Sequence, residues 1–222
     1  MNLKLKLVSI FLIGLVCAIG FGWIAMQVGE HRLIQFDTSI ISFVQGFESP
    51  TLTTIFKFFT FIGSSLVVMI LCVLIIIYLY KVLHHRSEII LFIVVMFGST
   101  ALNVVLKHLF QRARPTIHRL IQETGYSFPS GHSMEAFALY GVLAYLLWRH
   151  ISSSLGKTLL IIFSVFMTLM IGISRIYLGV HYPSDVIGAY LISGFWLAGS
   201  IGVYEQYLDR RKKRDLTKVY KR

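Results

Sequence analysis

The sequence predicts an all-α, polytopic membrane protein with six transmembrane helices and an amphipathic helix on its outer surface. Three observations lead there. Hydrophobic residues make up 56% of the 222, against roughly half in a soluble domain, and the mean hydropathy is +0.73. Six stretches carry no Asp, Glu, Lys or Arg: Leu7–Met26, Phe58–Tyr80, Ile89–Leu106, Ala136–Trp148, Thr158–Ser174 and Val186–Tyr204. Between the first two, Leu33, Phe36, Ile40, Phe43, Val44 and Phe47 recur at helical spacing among polar residues, the pattern of a helix lying in an interface.

A crossing needs about 20 largely apolar residues. The first run has that length; Lys4 and Lys6 precede it like the basic region of a signal peptide, but the run is long for one and no small-x-small cleavage site follows, so it reads as a retained helix. The segment Gln27–Lys57 is longer than a simple hairpin needs and holds the amphipathic stretch. The second and third runs are spanning length, and a second long connection, Lys107–His132, follows them. Ala136–Trp148 reaches spanning length only if its helix starts near Ser133, which brings Glu135 and His132 to the membrane edge. Thr158–Ser174 needs its flanks, and Val186–Tyr204 does not. There is no internal repeat or low-complexity linker, so residues 1–222 read as one integral membrane domain ending in a basic tail over 209–222.

Six crossings put both termini on one side. Segments on that side hold Lys4, Lys6, Lys81, Arg86, Arg149, Lys157 and the eight Lys and Arg from Arg210 to Arg222, which is 14 of the 21; the bias makes that side cytoplasmic. Trp23, Tyr78, Tyr80 and Trp148 fall at helix ends, where amphipathic rings sit at headgroup level, whereas Trp196 lies mid-run and does not fit a belt. The tail Arg210-Arg211-Lys212-Lys213-Arg214 follows a membrane helix directly, so anionic lipid headgroups are its expected partner, not nucleic acid. Cys17 and Cys72 lie deep in apolar runs and act as small hydrophobes.

The polar residues gather in three clusters that this topology turns to the outer face. Lys107, Arg114 and Arg175 are cations where uncompensated charge is costly. Few acids are near (Glu30, Asp37, Glu48, Glu123, Glu135 and Asp185), and an anionic ligand is the economical counter-charge; guanidinium groups with a lysine suit phosphate. Pro129-Ser130-Gly131-His132 forms the turn into the fourth run, where Gly131 allows close backbone approach and the helix start favours an anion; alone, it also reads as an ordinary turn and cap. His181 stands just before Pro183, a residue suited to a first helical turn, and Asp185 follows in that turn. The carboxylate can fix the imidazole tautomer and free the other nitrogen to attack; alone, Asp185 also reads as a helix N-terminal charge. Phosphoryl transfer needs an in-line nucleophile, cations on the equatorial oxygens and an acid for the leaving oxygen, and His181, the three cations and His132 fill these roles. Zinc could use His132, His181 and Asp185 as ligands, but three neighbouring cations would repel it, so neither metal nor cofactor is expected. The other histidines, His31, His84, His85, His108, His118 and His150, lie at helix ends or in loops and need no special role, His118 being the first candidate exception because it shares the long outer loop with Arg114. Glu135 reads either as a helix-start charge or as a partner of His132 or of a substrate headgroup.

Lys107-x6-Arg114-Pro115, Pro129-Ser130-Gly131-His132 and Ser174-Arg175-x5-His181-x3-Asp185 resemble, complete and in order, the three signatures of the type 2 phosphatidic acid phosphatase superfamily. The resemblance implies a metal-independent, six-helix phosphatase acting on lipid phosphates at the outer face of a cell membrane. It is nearest to the small bacterial phosphatidylglycerophosphate and undecaprenyl diphosphate phosphatases. By position it makes His181 the nucleophile, Asp185 its orienting partner and His132 the general acid, with Lys107, Arg114, Ser130, Gly131 and Arg175 binding phosphate. Phosphatidylglycerophosphate, phosphatidic acid and undecaprenyl diphosphate are the expected substrates. A non-enzymatic anion or lipid-phosphate carrier is the alternative, and it would favour broken or repeated helices and a midplane site.

Overall fold

The computed structural model describes residues 3–81, 86–116 and 118–220, so His84, His85, Lys221 and Arg222 lie outside the described residues. Among these it has eight helices and no strand: α1 (Leu3–Gly29), α2 (Ile34–Gln45), α3 (Pro50–Ile62), α4 (Ser65–Lys81), α5 (Arg86–Phe110), α6 (Gly131–Trp148), α7 (Ser154–Tyr177) and α8 (Pro183–Tyr220). Four of them, α1, α5, α7 and α8, are long and apolar enough to cross a membrane unaided. Their outward side chains, such as Phe11, Val16, Phe97 and Leu155, are largely exposed, as suits contact with lipid chains.

The run Phe58–Tyr80 is not one helix. It divides at Gly63 and Ser64 into the end of α3 and all of α4, which meet at 49°. Gly63 closes α3, its N–H donating to the Phe59 carbonyl while the Ser64 N–H donates to that of Phe61. The missing side chain matters as well: a Cβ there would stand 2.6 Å from Ile171 Cγ2 and 3.5 Å from His132 Cδ2. The break thus lets α7 and the start of α6 close on this corner. Downstream of the amphipathic stretch, α3 opens on a Ser49 cap, whose hydroxyl accepts from the Leu52 N–H (3.3 Å), with Pro50 behind it.

Helix α6 is central, packed by α5, α7 and α8, while α1 lies along α8. The α1–α8 seam uses small residues that let the backbones approach: Gly14 meets Ala198, and Gly194 meets Cys17. Trp196 finds its place here too. Its ring lies over Gly98 of α5 and its indole N–H donates to the Val94 and Val95 carbonyls (3.3 and 3.2 Å). It is a packing residue, which is why it sits outside any interfacial belt. Helix α2 covers most of the amphipathic stretch, burying Ile41 against Ile176 and Val186 and leaving Phe36 and Phe43 exposed, as is Phe47 just past its end.

Candidate active site

Helix direction assembles the site. α5 ends, α6 begins, α7 ends and α8 begins at one end of the bundle, so Lys107, Ser130-Gly131-His132, Arg175 and Asp185 meet there, with Arg114 and His181 on the connections between. The turn into α6 is tied to both neighbours. Asn103 of α5 donates to the Pro129 carbonyl (3.1 Å), and Ser130 N–H donates to the Asp185 carbonyl (3.2 Å). The Ser130 hydroxyl is buried and accepts from Ser133 (2.9 Å), which leaves its own proton to donate.

His181 is 1% exposed. Its Nδ1 lies 3.3 Å from Asp185 Oδ2, and its Nε2 lies 3.0 Å from Arg114 Nη1. A guanidinium only donates, so Nε2 is the acceptor and Nδ1 carries the proton toward Asp185. That is the tautomer a nucleophile needs. Burial, reinforced by the charges of Arg175, Arg114 and Lys107, holds the imidazole well below its usual pKa, so it is a neutral base at physiological pH.

The cations differ in their occupancy. Arg114 also donates to the carbonyls of Thr124 (3.0 Å), Gly125 (3.1 Å) and Val180 (3.0 Å) and thereby shapes the loop. Arg175 is 1% exposed; Nη1 donates to Thr60 of α3, Nη2 donates to Glu123 at 2.5 Å, and Nε is buried with no partner among the described residues. Such an orphan donor is costly unless a ligand satisfies it. Lys107 lies within electrostatic reach of Arg114, Glu123, Arg175 and Asp185, and His132 within reach of Arg175, Glu123, His181 and Lys107.

The acids correct the expectation that a ligand would be the main counter-charge. Asp37 and Asp185 are fully buried and share Arg112. Glu123 faces Arg175 and, at 4.0 Å, Arg114. Burial pushes its carboxyl up, but Arg175, His132 and Arg114 outweigh that and hold it below its usual pKa, as an anion. Counted together, Lys107, Arg112, Arg114 and Arg175 face Asp37, Glu123 and Asp185, and one formal positive charge remains. That surplus favours an anionic ligand such as a phosphate ester.

Arg112, Ser184, Thr60 and Asn103 do not stand out in the sequence, and Asp37 and Glu123 appear there only among the acids near the clusters; the alternating Arg-Ala-Arg at 112–114 is the one local signal for Arg112. His118 is exposed and bonded to Glu48 (2.6 Å), apart from the cluster. Glu135 accepts from Ser65 at the start of α4 (3.4 Å).

A family model for the PAP2 superfamily matches residues 88–209. Phosphatidylglycerophosphatase B of Bacillus subtilis (strain 168) is 33% identical over 187 residues, covering 83% of this chain and 88% of that protein. A crystal structure described as the first transmembrane PAP2 type phosphatidylglycerolphosphate phosphatase from Bacillus subtilis superposes with a TM-score of 0.77 at 30% identity, over 90% of this chain and 96% of that one. The crystal structure of Aquifex aeolicus LpxE gives a TM-score of 0.61 at 27% identity, over 75% and 94%.

Proposed function

The chain belongs to the PAP2 superfamily, and from that premise we propose that it removes the terminal phosphate of a membrane lipid through a phosphohistidine on His181, with no metal. Phosphatidylglycerophosphate, phosphatidic acid and undecaprenyl diphosphate are the candidate substrates. The observation that carries this reading is the buried Arg175 Nε without a partner, beside a neutral His181 whose Nε2 lone pair faces Arg114. A phosphate entering there would take the Arg175 donor and draw Arg114 from the imidazole to its own oxygens. The nucleophile is uncovered by the group it attacks.

In the proposed reaction the Nε2 lone pair forms a bond to phosphorus as the bond to the lipid oxygen breaks, and that oxygen takes a proton from His132. A water then gives a proton back to His132 and attacks phosphorus, releasing inorganic phosphate and free His181. Lys107, Arg114, Arg175, Ser130 and the Gly131 backbone hold the equatorial oxygens. For a diphosphate the leaving group is itself a phosphate. The charges of Lys107, Arg114 and Arg175 around His181 would repel a divalent ion, which supports the metal-free reading.

The proposed topology has six crossings, made by α1, α4 with the end of α3, α5, α6, α7 and α8, with α2 on the outer surface. At 18 residues α6 is about 27 Å long, slightly under the ~30 Å hydrocarbon core, which supports His132 at the membrane edge. The Lys and Arg distribution supports cytoplasmic termini and an outward site. The exposed basic end of α8 supports contact with anionic lipids.

The test is phosphate release by the purified protein in detergent with EDTA, with the three lipids offered side by side and His181→Ala as control. Release that survives chelation and is lost in the variant is the expected result and ranks the substrates. Equal release from the His181→Ala protein, or none without added metal, overturns the mechanism.

A further inference from the structure

The two arginines of the Arg-Ala-Arg segment face opposite sides of the His181–Asp185 pair. Arg114 lies on the Nε2 side of His181, where phosphate would enter. Arg112 lies behind Asp185: its Nη1 donates to Asp185 Oδ1 (2.6 Å) and Ser184 Oγ (2.8 Å), and its Nη2 to Asp37 Oδ2 (2.7 Å). The Ser184 hydroxyl and N–H close the ring by donating to Asp37 Oδ2 (2.7 Å) and Oδ1 (2.9 Å). The guanidinium also packs on the Tyr182 ring, 4.0 Å from its centroid. Asp37, Ser184 and Asp185 have no exposed surface.

We propose that Asp37 and Arg112 are positioning residues for the nucleophile, forming with Ser184 a buried bracket that fixes the Asp185 carboxylate against His181. This rests on the reading of His181 as nucleophile. The reasoning starts from Asp185. Its bond to His181 Nδ1 is long, at 3.3 Å, and its Oδ2 also accepts from the Tyr182 N–H (2.9 Å). The imidazole alone therefore does not hold the carboxylate in one place. The 2.6 Å contact to Arg112 does, and its charge offsets part of the cost of burying the carboxylate. Arg112 needs an anchor of its own, because a guanidinium this close to a phosphate site would otherwise turn toward the incoming anion. Asp37 occupies its second prong and holds it back. Arg112 is thus kept out of the phosphate cradle to which Arg114 and Arg175 belong. Asp37 comes from α2, so the seating of that helix reaches the reacting nitrogen through three charge-assisted contacts.

The bracket predicts a specific kinetic pattern. Asp37→Asn preserves shape but weakens the hold on Arg112, and Ser184→Ala removes the hydroxyl between them. Losing one charge-assisted hydrogen bond behind the carboxylate is expected to lower kcat by about 10- to 100-fold, with KM for the lipid within about twofold, since no phosphate contact is touched. The deciding measurement is a double-mutant cycle with Asp185→Asn on folded, size-selected enzyme. If the bracket acts through Asp185, Asp37→Asn or Ser184→Ala costs little further activity in the Asp185→Asn background. The same fold-loss in both backgrounds, a loss confined to KM, or an unchanged kcat in both single variants overturns the proposal. Should Asp37→Asn not fold, Ser184→Ala carries the same cycle. His181→Ala separates the two levels: full activity in that variant sinks the nucleophile assignment itself, whereas its inactivity beside unaltered Asp37→Asn and Ser184→Ala enzymes sinks only the bracket.

Discussion

Replacing Arg175 by Lys tests the phosphate cradle directly, because it keeps the charge and removes the fork. The side chain is 1% exposed, donates to Thr60 and to Glu123, and leaves Nε for a ligand. An ammonium group is a single point that cannot serve Thr60, Glu123 and a phosphate in those three directions at once. The loss is one charge-assisted hydrogen bond to the transferring phosphoryl group, about 1.5–3 kcal/mol. At 1.36 kcal/mol per decade this is roughly a 10- to 150-fold fall in kcat/KM. The assay is colorimetric phosphate release from lipid in detergent micelles, with thermal melting to confirm a folded protein and orthovanadate inhibition read in parallel. Vanadate mimics the phosphoryl group and competes for the same donors, so its Ki is expected to rise with the loss of rate. A folded variant within twofold of the parent in both kcat/KM and vanadate Ki would refute the assignment.

Three further outcomes follow from the same geometry. Glu123→Gln removes the carboxylate that competes with phosphate for Arg175, so vanadate Ki is expected to fall by about tenfold while ligand-free thermal stability drops, a buried cation having lost its partner; weaker vanadate binding contradicts this. In kcat/KM profiles, which report the free enzyme, His181 reacts as the neutral base, and burial with its cationic neighbours puts its acid limb below the ordinary histidine value. Arg114→Gln takes away one of those charges, raises the imidazole pKa and moves the acid limb to higher pH; an unmoved limb would show that Arg114 does not act on His181. Gly98→Ala would place a Cβ 2.1 Å from Trp196 Cζ2, and overpacking a rigid ring is expected to cost about 1–3 kcal/mol, measured by denaturation in detergent; unchanged stability would mean the α5–α8 seam is looser than the contact implies.

Several parts of this molecule were legible without coordinates because they are local properties of the chain. Charge-free runs give apolar helices, and α1, α5, α7 and α8 follow from them. Ser130-Gly131 before one run and Pro183 opening another fix where α6 and α8 begin, and so place His132 and Asp185 in first turns beside His181. The correct pairing of His181 with Asp185 came from that four-residue spacing, which is short enough for backbone geometry to dictate contact. The break between α3 and α4 was less visible. Gly63 and Ser64 sit in an otherwise continuous apolar run, and what makes the glycine necessary is Ile171 and His132 arriving from distant segments.

Which acids enter the site was decided by tertiary structure alone. Asp37, Glu48 and Glu123 all sit in the long connections between apolar runs and look alike in sequence, yet Asp37 is fully buried against Ser184, 147 residues away. Glu123 caps Arg175, and Glu48 pairs with His118 at the surface. The arginines divide in the same way, with Arg112 turned to the back of Asp185 and Arg114 to the face of His181. The physical reason is that helix formation depends on neighbours along the chain, where periodicity and capping can be read. The role of a charge depends on what surrounds it in space, and a carboxylate is solvated, structural or electrostatically active according to partners that only packing brings together.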